Sequence, residues 1–475
     1  MTTVPMFIED EWTSEGEPSP LVNPYTGETV AEIAMASSDQ VHRAVRALGN
    51  RFAAEGPIHA YERFEILSRA STLVDERREA LIDAIVTESG FTVTDATSEV
   101  NRAIQTLLLS GEEAKRLAGE VVPFDGAPGI AGRIGYTMRV PIGPVCAITP
   151  FNSPLNTVCH KLGPALAAGN PVVLKPALAT PRTAVLLTEL LLDAGLPPRL
   201  IALVQGGGRT VGQQLLEHEA FRFYTFTGST EVGRIITRTI GLRRSQLELG
   251  SISSTIVCED ARLDLAVSRS VPAAFRKAGQ VCTSVQRLYV HEDVREAFTE
   301  SFLDELATKQ VGDPSDPETL VGPMIEEREA ARVEDWVAGA VSNGARTLTG
   351  GTREQALMQP TVLVGVDEQM PVVCREVFGP IVSIIGYRDI DDAIDRINDT
   401  PYGLAAGVFT ENIHRGFRAA ERLHFGSVHI NQTSSSRIDL MPYGGVKESG
   451  SGQEGPHYAM QELTEERLIT LTLEP

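Results

Sequence analysis

Three side chains carry chemistry by residue type alone: Cys282, Glu248 and Asn152. Cys282 lies among small and polar residues, after a helix-like run (263–277) and before a strand-like one (287–290). A thiol at such a junction can face a cleft, and its thiolate is a strong nucleophile. Glu248 sits between Leu247 and Leu249. Apolar neighbours raise a carboxyl pKa, which suits a general base. Asn152 follows a strand in the proline-bounded loop Thr149-Pro150-Phe151-Asn152-Ser153-Pro154, where its amide could donate to a developing oxyanion. Each residue has a plain alternative: an inert buried cysteine, a solvated glutamate, an asparagine bonding its own turn.

Other stretches suit a phosphate- and ribose-bearing ligand. Lys175 ends a strand-like run, where an ammonium could meet a ribose hydroxyl or a phosphate, or simply lie on the surface. Phe226-Thr227-Gly228-Ser229 runs from a strand into a helix start, whose free N–H groups and dipole suit a pyrophosphate. The G-x-G-x-x-G fingerprint is absent from that stretch, and the glycine-rich turn 206–212, with Gly208 and Gly212, is a weaker signal. Glu376 and Phe378 place a carboxylate and an aromatic in one tight loop, suited to a ribose diol and a ring face. Capping, ion pairing and core packing are the competing explanations.

Short apolar runs at 145–148, 172–174, 201–204 and 223–226 alternate with helix-like segments at about 156–168, 182–194, 209–218 and 230–240. That alternation predicts an α/β fold with a doubly wound parallel sheet, which binds ligands at the carboxyl ends of its strands. Alternation resumes at 255 and continues to about 430, predicting a second α/β domain. Residues 119–141 read as a β-hairpin, too marginal to stand alone.

The 475-residue chain has room for two or three domains. A formal net charge of -21 argues against nucleic acid and anionic membranes as partners. No apolar run reaches the ~18 residues that span a bilayer, and residues 1–17 lack signal-peptide character. The five cysteines lack metal-ligand spacing, so neither a metal site nor a disulfide framework is expected, and the cytoplasm is the expected location.

Taken in order, these stretches resemble the aldehyde dehydrogenase superfamily. The matches are Phe151-Asn152, Lys175-Pro176, Phe226-Thr227-Gly228-Ser229, Glu248-Leu249-Gly250, Gly279-Gln280-x-Cys282, Glu376-x-Phe378-Gly379-Pro380, and Pro442-Tyr443-Gly444-Gly445-Val446-Lys447-x-Ser449-Gly450. The resemblance implies a Rossmann-like cofactor domain (1–118 and 142–247), a catalytic domain (248–447), and an oligomerisation arm and tail (119–141 and 448–475). It implies a homodimer or homotetramer. Cys282 would attack the aldehyde, Asn152 and the Cys282 N–H would hold the oxyanion, and Glu248 would activate water against the thioester. The base Glu248 favours hydrolysis over the alternative of a coenzyme A-acylating enzyme, and with Cys282 it speaks against a non-catalytic binding protein on the same fold. Lys175, Gly208, Gly212, Phe226, Gly228, Ser229, Glu376 and Phe378 would hold NAD or NADP. Leu178 stands where NAD-preferring members commonly carry glutamate, and Arg209 is nearby in the glycine-rich turn, so NADP is favoured. Asn156, Thr157 and His160 should line the substrate tunnel. With Thr283, Arg102 and Arg437 they suggest a short, polar or anionic aldehyde, as in the lactaldehyde, phosphonoacetaldehyde and succinate-semialdehyde branch. Val281 stands where some anion-specific members have arginine.

Overall fold

The apolar runs do become parallel strands, and their order places the site. In the computed structural model, which describes residues 2–130 and 132–472, the first sheet has eight strands. They lie in the order Gly450–Ser451, Arg244–Glu248, Phe223–Thr227, Val145–Ile148, Val172–Lys175, Ile201–Leu203, Met6–Ile8, Glu11–Thr13. The strands from Arg244–Glu248 to Ile201–Leu203 are parallel. Strand order reverses between Val145–Ile148 and Phe223–Thr227. The carboxyl ends of those two strands therefore flank the crevice in which such sheets bind ligands.

The helix Asn156–Ala167 lies behind this crevice and is buried along all 12 residues. A helix buried all round must satisfy its polar side chains inside the protein. Asn156 and Lys161 do so with partners from distant elements, and His160 does so through Nε2, while its Nδ1 has no partner among the described residues.

The second sheet has seven strands in the order Arg346–Thr349, Thr361–Val364, Ile381–Tyr387, Arg287–His291, Ser254–Val257, Ala405–Phe409, Ser427–Ile430. All pairs are parallel except that of Arg346–Thr349 with Thr361–Val364. Buried aliphatics and aromatics, among them Val271, Phe298, Val382 and Ile394, fill both of its faces. Glu248 ends a strand of the first sheet and Ser254 begins one of the second, so the chain crosses between sheets beside Glu248. The chain thus has the expected α/β architecture.

The arm differs from a bare hairpin. Val121–Val122 covers only one end of Arg133–Pro141. The longer partner is the C-terminal strand Thr464–Thr472, which pairs along the whole of Arg133–Pro141. A third strand gives the stability a two-stranded ribbon lacks. The rest of the 448–475 tail leaves the arm: Gly450–Ser451 joins the first sheet, and Pro456–Glu462 packs on Asn156–Ala167. Among the described residues no helix is long and apolar enough to cross a membrane.

Candidate active site

Cys282, Glu248 and Asn152 line one cavity between the two sheets, about 610 Å³ counted to its open mouth. Glu248 ends the strand Arg244–Glu248, and Asn152 lies on the loop after Val145–Ile148. Cys282 lies on the loop that enters Arg287–His291. The first sheet supplies the amide and the carboxylate from its strand ends, and the second supplies the thiol.

The nucleophile loop is held under backbone strain. Lys277 and Ala278 take φ of 53° and 52°, and Gly279 follows at 69°. Left-handed non-glycine residues cost of order 1 kcal/mol each or more and persist only where surroundings enforce them. Here Lys277 Nζ donates to Glu99 Oε2 at 2.5 Å and to Asn152 O at 2.9 Å. Gly279 is required, because a Cβ there would lie 2.1 Å from Gly379 O, in the loop that carries Glu376. Asn152 Nδ2 donates to Gln280 O at 2.9 Å, tying the amide to the same loop. Glu99 Oε1 accepts from Ser153 Oγ and from the N–H groups of Leu155 and Asn156, fixing the Asn152 loop from the other side. The second amide hydrogen of Asn152 stays available to the cavity.

Burial dominates the electrostatics. It pushes the Cys282 thiol up to about 11, although a Tyr443 hydrogen bond and Arg437 pull the other way. Burial, with the Glu454 charge beside it, raises Glu248 well above the usual carboxyl range. Neither oxygen of Glu248 has a hydrogen-bond partner among the described residues, nor does Thr227 Oγ1 in the same wall. A buried carboxyl left unpaired in a cavity is costly unless it meets a water or substrate there. Burial would also raise Glu454, but Lys161 and Arg437 outweigh it and hold that carboxyl down at about 2.

The cations of the wall separate into engaged and free. Arg102 forks onto Asp439, with Nη2 at 2.6 Å and Nε at 3.2 Å. Arg437 Nη2 meets Glu454 Oε2 at 2.5 Å, and Lys277 meets Glu99. Arg276 alone of these forms no ion pair among the described residues; its Nη2 donates to Ser435 Oγ at 2.8 Å. Arg102 and Arg437, read from sequence as contacts for a substrate anion, do face the cavity, but each already carries a carboxylate. Asn156 and His160 are off the cavity wall. Asn156 Nδ2 and His160 Nε2 lie 3.1 and 2.9 Å from Asp439 Oδ1, so both serve that buried carboxylate and pin the loop that carries it. Thr157 and Thr283 are in the wall.

Arg276 escaped the sequence reading because the run 263–277 looked like one helix. The helix ends at Phe275, and Arg276 turns out of it at φ -55°, ψ 147°. Glu454 and Arg276 carry no local sequence signal for the site, since tertiary folding alone brings them there; Tyr443 stands within the 442–450 motif, but that motif assigns its hydroxyl no role.

The groove behind the nucleophile fits a nicotinamide dinucleotide. Lys175 is buried at a strand's carboxyl end, and its ammonium has one partner among the described residues, Pro176 O at 3.1 Å. Burial lowers it to about 8. Such an under-satisfied cation suits hydroxyl or phosphate oxygens. Glu376 is half-buried, and desolvation raises it to about 7, its Oε1 accepting from Ser251 N at 2.9 Å. Glu376, Phe378 and Cys282 share a second, narrower crevice. Gly212 faces Lys175, since a Cβ there would lie 3.9 Å from Lys175 Cε, while Gly208 is exposed on the same turn. Ser229 caps the helix Thr230–Ile240, leaving Gly228 at its mouth. Phe226 differs from its expected role: its side chain is core, 5% exposed, and its ring lies 2.5 Å from where a Gly228 Cβ would be. Among the described residues no cluster of His, Cys, Asp and Glu is placed to hold a metal ion.

A profile of the aldehyde dehydrogenase family matches residues 12–469. A 3-sulfolactaldehyde dehydrogenase of Priestia aryabhattai is 46% identical over 98% of each chain. The crystal structure of aldehyde dehydrogenase 21 from Physcomitrella patens, in complex with the reaction product succinate, superposes with a TM-score of 0.96. It is 33% identical, covering 99% of this chain and 98% of that one. A glyceraldehyde-3-phosphate dehydrogenase from Methanocaldococcus jannaschii complexed with NADP gives a TM-score of 0.92 at 35% identity, covering 96% and 99% of the two chains.

Proposed function

The chain belongs to the aldehyde dehydrogenase family, and on that premise we propose that it oxidises a short aldehyde whose far end carries an anion. The observation that carries this reading is Arg276. It is a guanidinium in the wall that holds Cys282, with no carboxylate of its own among the described residues. An unpaired, half-buried cation in a reaction cavity selects a substrate anion, because a neutral substrate leaves it partly desolvated and unmatched. The hydroxyls of Thr157, Thr283 and Ser153 add a polar lining suited to a substituted chain. The names of the relatives agree: 3-sulfolactaldehyde carries a sulfonate, and succinate a distal carboxylate. An aldehyde of the 3-sulfolactaldehyde or succinate-semialdehyde type is the class proposed.

In this reading Cys282, as the thiolate, adds to the carbonyl carbon and forms a thiohemiacetal. Asn152 Nδ2 and the Cys282 N–H hold the oxyanion. The nicotinamide ring, when bound, supplies the hydride acceptor. Glu376 and Phe378 would position it, with Lys175, Gly228 and Ser229 along the dinucleotide. Cys282 then carries a thioester. Glu248 takes a proton from water, and that water displaces the sulfur to release the acid. Of the two cofactors NADP is proposed as preferred, because Leu178 offers no carboxylate to repel a 2′-phosphate and exposed Arg209 can attract one. The domain division 1–118 with 142–247 and 248–447, and a homo-oligomer built through the arm, belong to the same proposal. The arm exposes Ile134, Met138, Leu468 and Leu471, a surface suited to burial against a second copy.

An aldehyde panel with NAD and NADP, following reduced-cofactor absorbance, tests the function. The reading predicts the highest kcat/KM for anionic short aldehydes. Equal or higher values for hexanal would overturn it.

A further inference from the structure

The Cys282 sulfur lies 2.9 Å from the hydroxyl of Tyr443, a residue for which the mechanism above has no task. We infer that the Tyr443 hydroxyl is the side-chain donor that holds the Cys282 sulfur as it becomes an anion, making Tyr443 a catalytic residue. The inference rests on Cys282 being the nucleophile.

The surroundings of the phenol are built for donation. Arg437 stacks over its ring, the guanidinium carbon 3.8 Å from the centroid, and Glu454 holds Arg437 in that place. A cation on the ring face draws electron density from the oxygen and strengthens the O–H as a donor. The phenol keeps its proton at working pH, since burial raises it well above 10. Tyr443 itself is fixed by its chain: its N–H and carbonyl both pair with Glu454, the residue that anchors Arg437. Arg437, Tyr443 and Cys282 therefore form one line of contact anchored at Glu454.

The other charged groups near the sulfur leave the anion under-supported. Glu376 and Glu248 oppose it, while Arg437 and Arg276 favour it from the wall. Tyr443 is the side chain that bonds the sulfur directly. A hydrogen bond to a charged group is worth enough to shift an acid by about one unit or more.

Tyr443→Phe isolates the effect, because it keeps the ring beneath Arg437 and removes only the oxygen. Iodoacetamide labelling of the cofactor-free protein is followed across pH, with mass spectrometry separating the Cys282 peptide from that of Cys374. The substitution is expected to slow labelling of Cys282 at neutral pH about tenfold and to move its titration about one unit up. The kcat/KM for the best aldehyde falls by a similar factor, and thermal denaturation stays unchanged. An unchanged titration of Cys282 in Tyr443→Phe overturns the inference and leaves the nucleophile standing. Dehydrogenase activity in Cys282→Ala would instead overturn the nucleophile assignment itself.

Discussion

Replacing Arg276 with methionine tests substrate choice and stability separately. In the structure the guanidinium has one protein partner, Ser435 Oγ at 2.8 Å, and no ion pair among the described residues. Its removal strands no carboxylate. The stability cost is one hydrogen bond, about 1 kcal/mol, offset by relief from burying a charge. The catalytic cost is larger, because a charge-assisted hydrogen bond to a substrate anion contributes about 1.5–3 kcal/mol. That predicts a fall in kcat/KM of about 10- to 150-fold for 3-sulfolactaldehyde or succinate semialdehyde. Propanal, which has no anion, should change less than about threefold. The assay is initial-rate reduction of the cofactor with each aldehyde, alongside a melting curve. Equal losses for charged and neutral aldehydes, with an unchanged melting temperature, would refute the assignment of Arg276 to the substrate anion.

Three other outcomes follow from the same geometry. Cys282, held up at about 11, reacts as the deprotonated form, so its alkylation in the free protein should accelerate about tenfold per pH unit through the neutral range; a flat profile would mean a thiolate is already formed at neutral pH. Glu454→Gln leaves Lys161 and Arg437 buried without their shared carboxylate, and removal of one partner from a buried pair costs about 3–5 kcal/mol; calorimetry should show a melting temperature lower by several degrees. Leu178→Glu places a carboxylate in the cofactor groove, and the ratio of kcat/KM with NADP to that with NAD should fall; an unchanged ratio would place Leu178 away from the 2′-phosphate.

The parts legible in the sequence were those that repeat or fall in a set order. Parallel strands announce themselves as short apolar runs, and Val145–Ile148 and Val172–Lys175 lie where those runs do. Cys282, Glu248 and Asn152 each have a plain alternative by residue type, and it is the ordered set of motifs around them that singles them out; the fold brings the three to one cavity. The illegible parts depend on partners distant in the chain. Arg102 and Arg437 read as candidates for a substrate anion or for an ordinary ion pair, and only the fold brings Asp439 and Glu454 to them. Asn156 and His160 share one helix face with Thr157 only loosely, and the buried Asp439 captured both. Phe226 joined the core because the inward register of its strand decides its side chain, whatever the motif around it. The hairpin's true partner, Thr464–Thr472, lies over three hundred residues away, beyond the reach of any local pattern.

The central claim is acyl transfer through Cys282 with hydrolysis driven by Glu248, and Glu248→Gln tests it most directly. Mixed with cofactor and an anionic aldehyde, the variant should give a burst of about one equivalent of reduced cofactor per site, then slow turnover. Mass spectrometry should find the acyl group on the peptide that contains Cys282. Steady turnover at the unmodified rate, or an acyl group absent from that peptide, would contradict the account.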